Sequence, residues 1–337
     1  MLSTRNLLKI LANTLIGVAL ILIWLRFVNI REVFTAISRV NPVLFLPMVL
    51  FMFLSAFLRA ARLKIFLSEI KKIPLLDLVF LNGLAMMLNF FIPIRAGELA
   101  KGIYLNTKYG LHLGKSVIWM FIDRFVDFLV VLVMAAILFF IIPTSLNITF
   151  IIIITIIFFI GLFLTYLMIY QATFAKKLFK FLSYLLIEKH VKIYFERFSQ
   201  FILEAFVVLR RHPRDLTLMV LITVLAYAAD GAIWYFTFLA LGHGQNFINM
   251  YLGQLLSALT YLIPAAPGYI GSAEASGLVI LSGVFGMDPN LASSMTVLFH
   301  ILAALFVLIF GLISIYSLKI SLGVILKKAL GRKGGYG

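Results

Sequence analysis

The chain has 337 residues, 63% of them hydrophobic and 12% charged, with a mean hydropathy of +1.11. Soluble domains carry about 25% charged residues, so this composition excludes a soluble fold and makes the bilayer the solvent. The net charge of +16 comes with no RNA- or DNA-binding motif, so no nucleic-acid partner is expected, and the absence of cysteine excludes disulfide and thiolate chemistry.

Charge-free stretches cover 10–25, 40–58, 78–94, 128–175, 231–273 and 289–318. Each is near or beyond the roughly 20 residues that a spanning helix needs. The fold class is therefore an all-α integral membrane protein, a polytopic helical bundle. In chain order, segment 1–28 has a basic start (Arg5, Lys9) and an apolar middle but ends "IWLRF", without a small-residue cleavage pattern. An uncleaved first helix is expected there, with an elbow completing 1–41.

Long helices are expected at about 43–58 and 116–142. Between them, at 77–106, lies a hydrophobic pair broken by "FFIPIRAGELA" (90–100). An extra span follows at 148–170, and then 171–214, where nine Lys or Arg alternate with "LFKFLSYLL" and "FILEAFVVL". That segment reads as an amphipathic pair on anionic inner-leaflet lipids, or as a solvated linker. A long helix at 215–241, a second broken pair at 248–282 and a long helix at 290–318 complete the membrane part, before a basic tail over 319–337.

The second set repeats the first. A shift of 171 sets Pro42 on Pro213 and Pro93 on Pro264, and after a five-residue insertion a shift of 176 sets Glu98 on Glu274, Gly110 on Gly286 and Arg124 on His300. The chain thus divides into repeat 1 (42–142), an intervening segment (143–211) and repeat 2 (212–318), within a single membrane domain. If each broken pair enters and leaves on one side, three crossings separate the starts of the copies, an odd number, and the repeats are inverted. Charge placement agrees. Of 29 Lys and Arg, 24 fall in the start, 59–115, 171–214 and the tail, all assigned to the inner face with both termini. Arg95 and Arg124 fall within the membrane, while Arg26, Arg31 and Arg39 fall outside against the rule.

Each break combines helix-ending residues with charge: Pro93, Arg95, Gly97 and Glu98 in repeat 1, and Pro264, Pro267, Gly268, Gly271 and Glu274 in repeat 2. Half-helices starting near Pro93–Gly97 and near Pro267–Ser272 would aim free N–H groups and positive dipole ends at the centre, where a phosphate could sit. The alternative is a buried irregular corner with Arg95 paired to Glu98. "IDRFVD" (122–127) adds Arg124 between Asp123 and Asp127, either as transport charges or as a cluster closing the helix packing. No Lys or Arg occurs between residues 215 and 318, so the partner of Glu274 is expected from the other repeat or from a ligand. Asp230 reads as a further unpaired acid, and His300 as a titrating group or a packed one. No metal or cofactor site is legible.

"PIRAGELAKGIYL" with "IDRFVD", and "PAAPGYIGSAEA" in the second half, resemble the lysylphosphatidylglycerol synthase transmembrane region, the flippase half of multiple-peptide-resistance proteins, over roughly residues 8–320. On that resemblance Arg95, Gly97, Glu98, Arg124, Asp127, Pro267, Gly268, Gly271 and Glu274 hold motif positions. Ala273 departs from an arginine common before the glutamate. The resemblance implies a standalone inner-membrane flippase of a polar lipid, such as an aminoacylated phospholipid or an isoprenoid-linked headgroup, lacking the aminoacyl-transferase domain and catalysing no bond chemistry. A secondary transporter of a small anion, a membrane enzyme acting on lipid-linked phosphate and a non-transporting subunit are the rivals. Homo-oligomerisation stays open.

Overall fold

A computed structural model of the chain describes residues 14–15, 17–68, 71–92, 96–186, 188–211, 213–260 and 266–320, and among these there are helices and turns but no strand. The first helix, α1, covers 17–24. The elbow is α2 (Ile30–Ser38), started by Asn29, whose Oδ1 accepts the Arg31 N–H at 3.1 Å. Repeat 1 follows as α3 (Phe45–Ser68), α4 (Leu75–Phe91), α5 (Ala96–Tyr109) and α6 (Leu113–Ile141).

The expected extra span is α7 (Ile148–Tyr170), begun by an Asn147 cap and ended at Gln171. Residues 171–214 form two helices, α8 (Ala172–Tyr184) and α9 (Lys189–Arg211), tied by a 2.9 Å bond from Ser183 to Glu196. Phe181, Tyr184, Tyr194 and Phe198 stand exposed on them, interleaved with the basic residues. Repeat 2 is α10 (Pro213–Ala240), α11 (Phe247–Thr260), α12 (Ser272–Leu278), which runs into a π-helical turn at Val279–Val284, and α13 (Pro289–Leu318). Four stretches are long and apolar enough to cross a membrane: Pro42–Ser68, Ile122–Ile141, Pro213–Ala240 and Pro289–Leu318.

The shift of 176 found in the sequence also aligns element starts. Ala96 and Ser272 begin α5 and α12, and Leu113 and Pro289 begin α6 and α13, each pair 176 positions apart. The connections repeat as well: Gly110 and Gly286 both take φ +68° in the link to the last helix. Packing is reciprocal. The first helices of the copies, α3 and α10, lie along each other; α4 packs on α13, and α11 packs on α6.

Lipid tails are as apolar as leucine, so close approach of backbones, rather than exclusion of water, holds such helices together. In the α4–α13 seam a Cβ on Gly83 would overlap Ser314 and Phe310, and one on Gly311 would overlap Met87. Leu78, Leu81 and Leu84 of α4 and Phe310 of α13 fill the same core with Ala56 and Ala60 of α3.

One boundary corrects the sequence reading. The helix expected to stop near residue 58 runs to Ser68, so Arg62 is buried and Arg59 partly buried within it. Burying them takes acidic partners, described below. Packing at the seam predicts that Gly83→Leu lowers stability by about 1–3 kcal/mol, the usual cost of overpacking. Thermal unfolding in detergent should show it. Gly244→Ala, at a glycine with open space around it, should leave the midpoint unchanged.

Candidate functional site

Pro93 and Arg95 lie outside the described residues, but both sides of the first break are defined. Gly97, in the first turn of α5, donates its N–H to Asn89 Oδ1 at 2.8 Å. A Cβ there would overlap the Ala85 carbonyl, so glycine is what lets α5 start against α4. The next residue, Glu98, is held by two cations: Arg124 of α6 at 2.9 Å on Oε1, and Lys101, one helical turn on, at 3.6 Å on Oε2. Arg124 also reaches Asp127 at 3.3 Å, the pair expected from their spacing.

The second break is built around left-handed turns. Pro264 lies outside the described residues; Pro267–Tyr269 form a 3-10 turn, with Gly268 at φ +71° and Gly271 at φ +84°. These dihedrals favour glycine. Gly271 is doubly constrained, since a Cβ would also meet the Gly17 carbonyl of α1. Glu274 bends back to accept the Gly271 N–H at 2.7 Å, closing the start of α12. Its other oxygen meets His300 Nδ1 at 2.6 Å, and His300 Nε2 donates to the Gly268 carbonyl at 2.7 Å. The expectation that Glu274 finds its partner in the other repeat or a ligand is therefore corrected. The partner is His300 of the same repeat, 26 positions on, as Arg124 is 26 positions on from Glu98.

Between the breaks, α3, α6 and α10 share a charge cluster. Arg62, 1% exposed, bonds Asp123 at 2.8 Å and Asp127 at 2.5 Å, and donates to Thr223 of α10 at 2.6 Å. Asp230 is not unpaired, as the sequence suggested. It accepts from Arg59 at 2.7 Å and from Ser55 at 2.5 Å, and Arg59 also stacks over Tyr227, 5.3 Å from the ring centre. Arg59 and Asp230 are 171 positions apart, so they are equivalent positions in the two copies, facing each other across the α3–α10 contact. Four cations (Arg59, Arg62, Lys101, Arg124) thus meet four carboxylates (Glu98, Asp123, Asp127, Asp230) among the described residues.

Within this set the members differ in access. The Arg124 side chain is 45% exposed, against 1% for Arg62 and 6% for Lys101. Asp123 and Asp127 clamp Arg62 and so fasten α6 to α3. Arg124 alone of the four cations keeps nearly half its surface free while standing in a helix apolar enough to span. A separate lock closes the far end of the α4–α5 hairpin, where Asp77 accepts from Tyr104, Lys108 and Tyr109. The Asp77 carboxylate holds Lys108 above the ordinary lysine range. Arg59, Arg62 and Lys101 are the members that sequence reasoning missed. The signal was available for Arg59, since the shift of 171 carries it to Asp230.

Paired side chains at two helix breaks, with a neutralised charge cluster joining α3, α6 and α10, make a largely buried polar site in an apolar helical protein. Lysylphosphatidylglycerol synthase TM region is the family description that matches residues 10–311, and the chain belongs to that family. Membership gives it a membrane role connected with lipid. Comparison with curated proteins yields no match.

The geometry separates the two arginines of this cluster. Arg62→Ala leaves buried Asp123 without a cation and Asp127 with Arg124 alone, and should cost about 3–5 kcal/mol, the range for breaking a buried pair. Arg124→Ala leaves Glu98 with Lys101 and Asp127 with Arg62, and should preserve the unfolding midpoint to within a few degrees. Denaturation of both purified variants in detergent checks the contrast.

Proposed function

We propose that the protein moves a lipid with an anionic, phosphate-bearing headgroup between the leaflets of the cell membrane, and performs no bond chemistry. The observation that carries this reading is Arg124, a half-exposed guanidinium in an apolar helix, tied to a glutamate at a helix break. A bare phosphate in hydrocarbon is prohibitively costly. A planar guanidinium matches phosphate with two parallel hydrogen bonds, and the start of α5 adds backbone N–H groups and a positive dipole end. Glu98 already occupies Arg124, so an incoming phosphate exchanges with a carboxylate instead of meeting an empty charge. Glu98, once displaced, keeps Lys101 or takes an amine on the headgroup. Arg95 belongs to the same proposal by position in the sequence. The lipid tails stay in the bilayer at a lateral opening.

The same reading treats α4–α5 and α11–α12 as re-entrant hairpins from opposite faces, with the copies inverted about an axis near Arg59 and Asp230. Three crossings, α3, α6 and α7, then separate the copies. Both termini and the α8–α9 pair lie on the cytoplasmic side, where the basic residues of 171–214 meet anionic headgroups.

Two experiments test this. In the cysteine-free chain, single cysteines at 143–147 and 242–246 should label from outside and cysteines in 171–214 from inside. Finding residues 106 and 248 on the same side overturns the inverted hairpins. In liposomes, the protein should equilibrate a fluorescent amine-bearing phospholipid faster than unmodified phosphatidylglycerol, and Glu98→Gln should abolish movement without unfolding. Arg124→Lys should retain more activity than Arg124→Ala. No lipid movement, with uptake of a soluble anion, would favour the small-anion transporter instead.

A further inference from the structure

The two breaks share one design but differ in the cation. In repeat 1 the glutamate meets Arg124, whose charge is permanent, and in repeat 2 it meets His300, whose charge is not. Proton counting follows from the contacts. The Gly268 carbonyl can only accept, so His300 Nε2 carries hydrogen. One oxygen of Glu274 is occupied by the Gly271 N–H, and the other lies 2.6 Å from His300 Nδ1. Two lone pairs do not approach so closely, so one further proton lies between them, on the imidazole or on the carboxyl. Either placement leaves the pair with no net charge. Removing that proton leaves a carboxylate facing a lone pair, and the contact breaks.

The turn depends on this contact at both ends, because His300 holds Gly268 and Glu274 holds Gly271, the two left-handed glycines. Phe90 of α4 lies edge-on to the imidazole at 5.9 Å and shields it. Charged groups on other elements packed on α13 have partners of their own. Glu32 of α2 bonds Asn29 and Asn290, Arg59 and Arg62 of α3 hold Asp230, Asp123 and Asp127, and Asp77 of α4 holds Lys108. Among the described residues, no charged group besides these two forms an ion pair or hydrogen bond with the pair.

We propose that Glu274 and His300 form a proton-binding site that latches the turn at 267–271, so that the second break exchanges a coupling proton while the first binds the anion. The latch stands on geometry, and its role as a coupling site rests on the transport reading above. The reaction is simple: the shared proton leaves for water, the Nδ1–Oε1 hydrogen bond breaks, and the turn is released. The reverse step takes up one proton. Because linkage is reciprocal, a turn opened by the lipid would also release that proton.

The test uses the full chain in nanodiscs, with Ile270→Cys as reporter, since Ile270 lies in the turn with a half-exposed side chain. Labelling by a water-soluble maleimide is measured from pH 5 to 9 and divided by the rate of Gly244→Cys, which removes the thiol's own titration. The normalised rate should rise about tenfold with pH, within the range for coupled equilibria. His300→Arg, which copies the pairing of repeat 1, should keep the turn latched and flatten the profile. Glu274→Gln should flatten it as well, and serves if the arginine variant does not fold. A flat profile in the parent, or an unchanged rise in both variants, overturns the latch. Lipid movement in liposomes under an imposed pH gradient is the separate arm. A latch that titrates while lipid moves independently of the gradient overturns the coupling role. A latch that titrates with no lipid movement at all overturns the flippase reading and leaves the proton site standing.

Discussion

Each short helix at a break is tied to the long helix that follows by a glutamate and a nitrogen-bearing side chain, 26 residues apart in both repeats. The rest of the architecture depends on this tie. A chain that interrupts a helix in a membrane exposes N–H and C=O groups that no water can satisfy. In the first break Asn89 takes the Gly97 N–H, and in the second Glu274 takes the Gly271 N–H while His300 donates to the Gly268 carbonyl. In the second break the pair therefore satisfies broken backbone, and in both breaks it gives a largely buried carboxylate a partner.

Charge balance explains why the surrounding helices are where they are. Arg59 and Arg62 can sit inside α3 because α10 and α6 bring Asp230, Asp123 and Asp127 against them. A buried pair of this kind adds little to stability relative to apolar packing, yet removing one partner is severe. Its effect is on register. The spacing of Asp123 and Asp127 on one face of α6, both on Arg62, fixes α6 against α3 to within one turn. Arg124, on the neighbouring face, is thereby aimed at Glu98. The buried cluster orients the half-exposed arginine.

Much of this was legible in the sequence, for definite reasons. Glycine and proline punctuate helices in membranes as they do in water, so the interruptions at Gly97 and Gly271 and the extent of α7 could be read directly. The shift of 176 set Glu98 on Glu274 and Arg124 on His300, but the absence of nearby Lys or Arg pointed to the other repeat or a ligand for the partner of Glu274, past His300. What hydropathy could not give was the end of α3. A window over apolar residues stops at the first arginine, because it prices every charge as though it faced lipid. Arg59 and Arg62 face carboxylates from helices more than 60 positions away, and such partners are invisible to any local measure. Asp230 was misread for the same reason. Its partner occupies the matching position in the other copy.

That last pair shows what duplication within one chain permits. In a symmetric dimer, a residue on the two-fold axis faces its own copy, and a charged residue there would meet like charge. Two arginines or two aspartates across the α3–α10 contact would repel inside the protein, where screening is weak. Joined copies are free to differ, and here one carries Arg59 and the other Asp230, turning repulsion into a 2.7 Å ion pair. The same freedom acts at the breaks, where Arg124 and His300 hold equivalent positions with different chemistry. Lys101 adds a second cation beside Glu98, and its counterpart under the same shift is Gly277, where a side chain would collide with Thr296. The two breaks are thus built alike yet differ at two of these positions: Arg124 and Lys101 stand beside Glu98 in the first, where the second has His300 and Gly277.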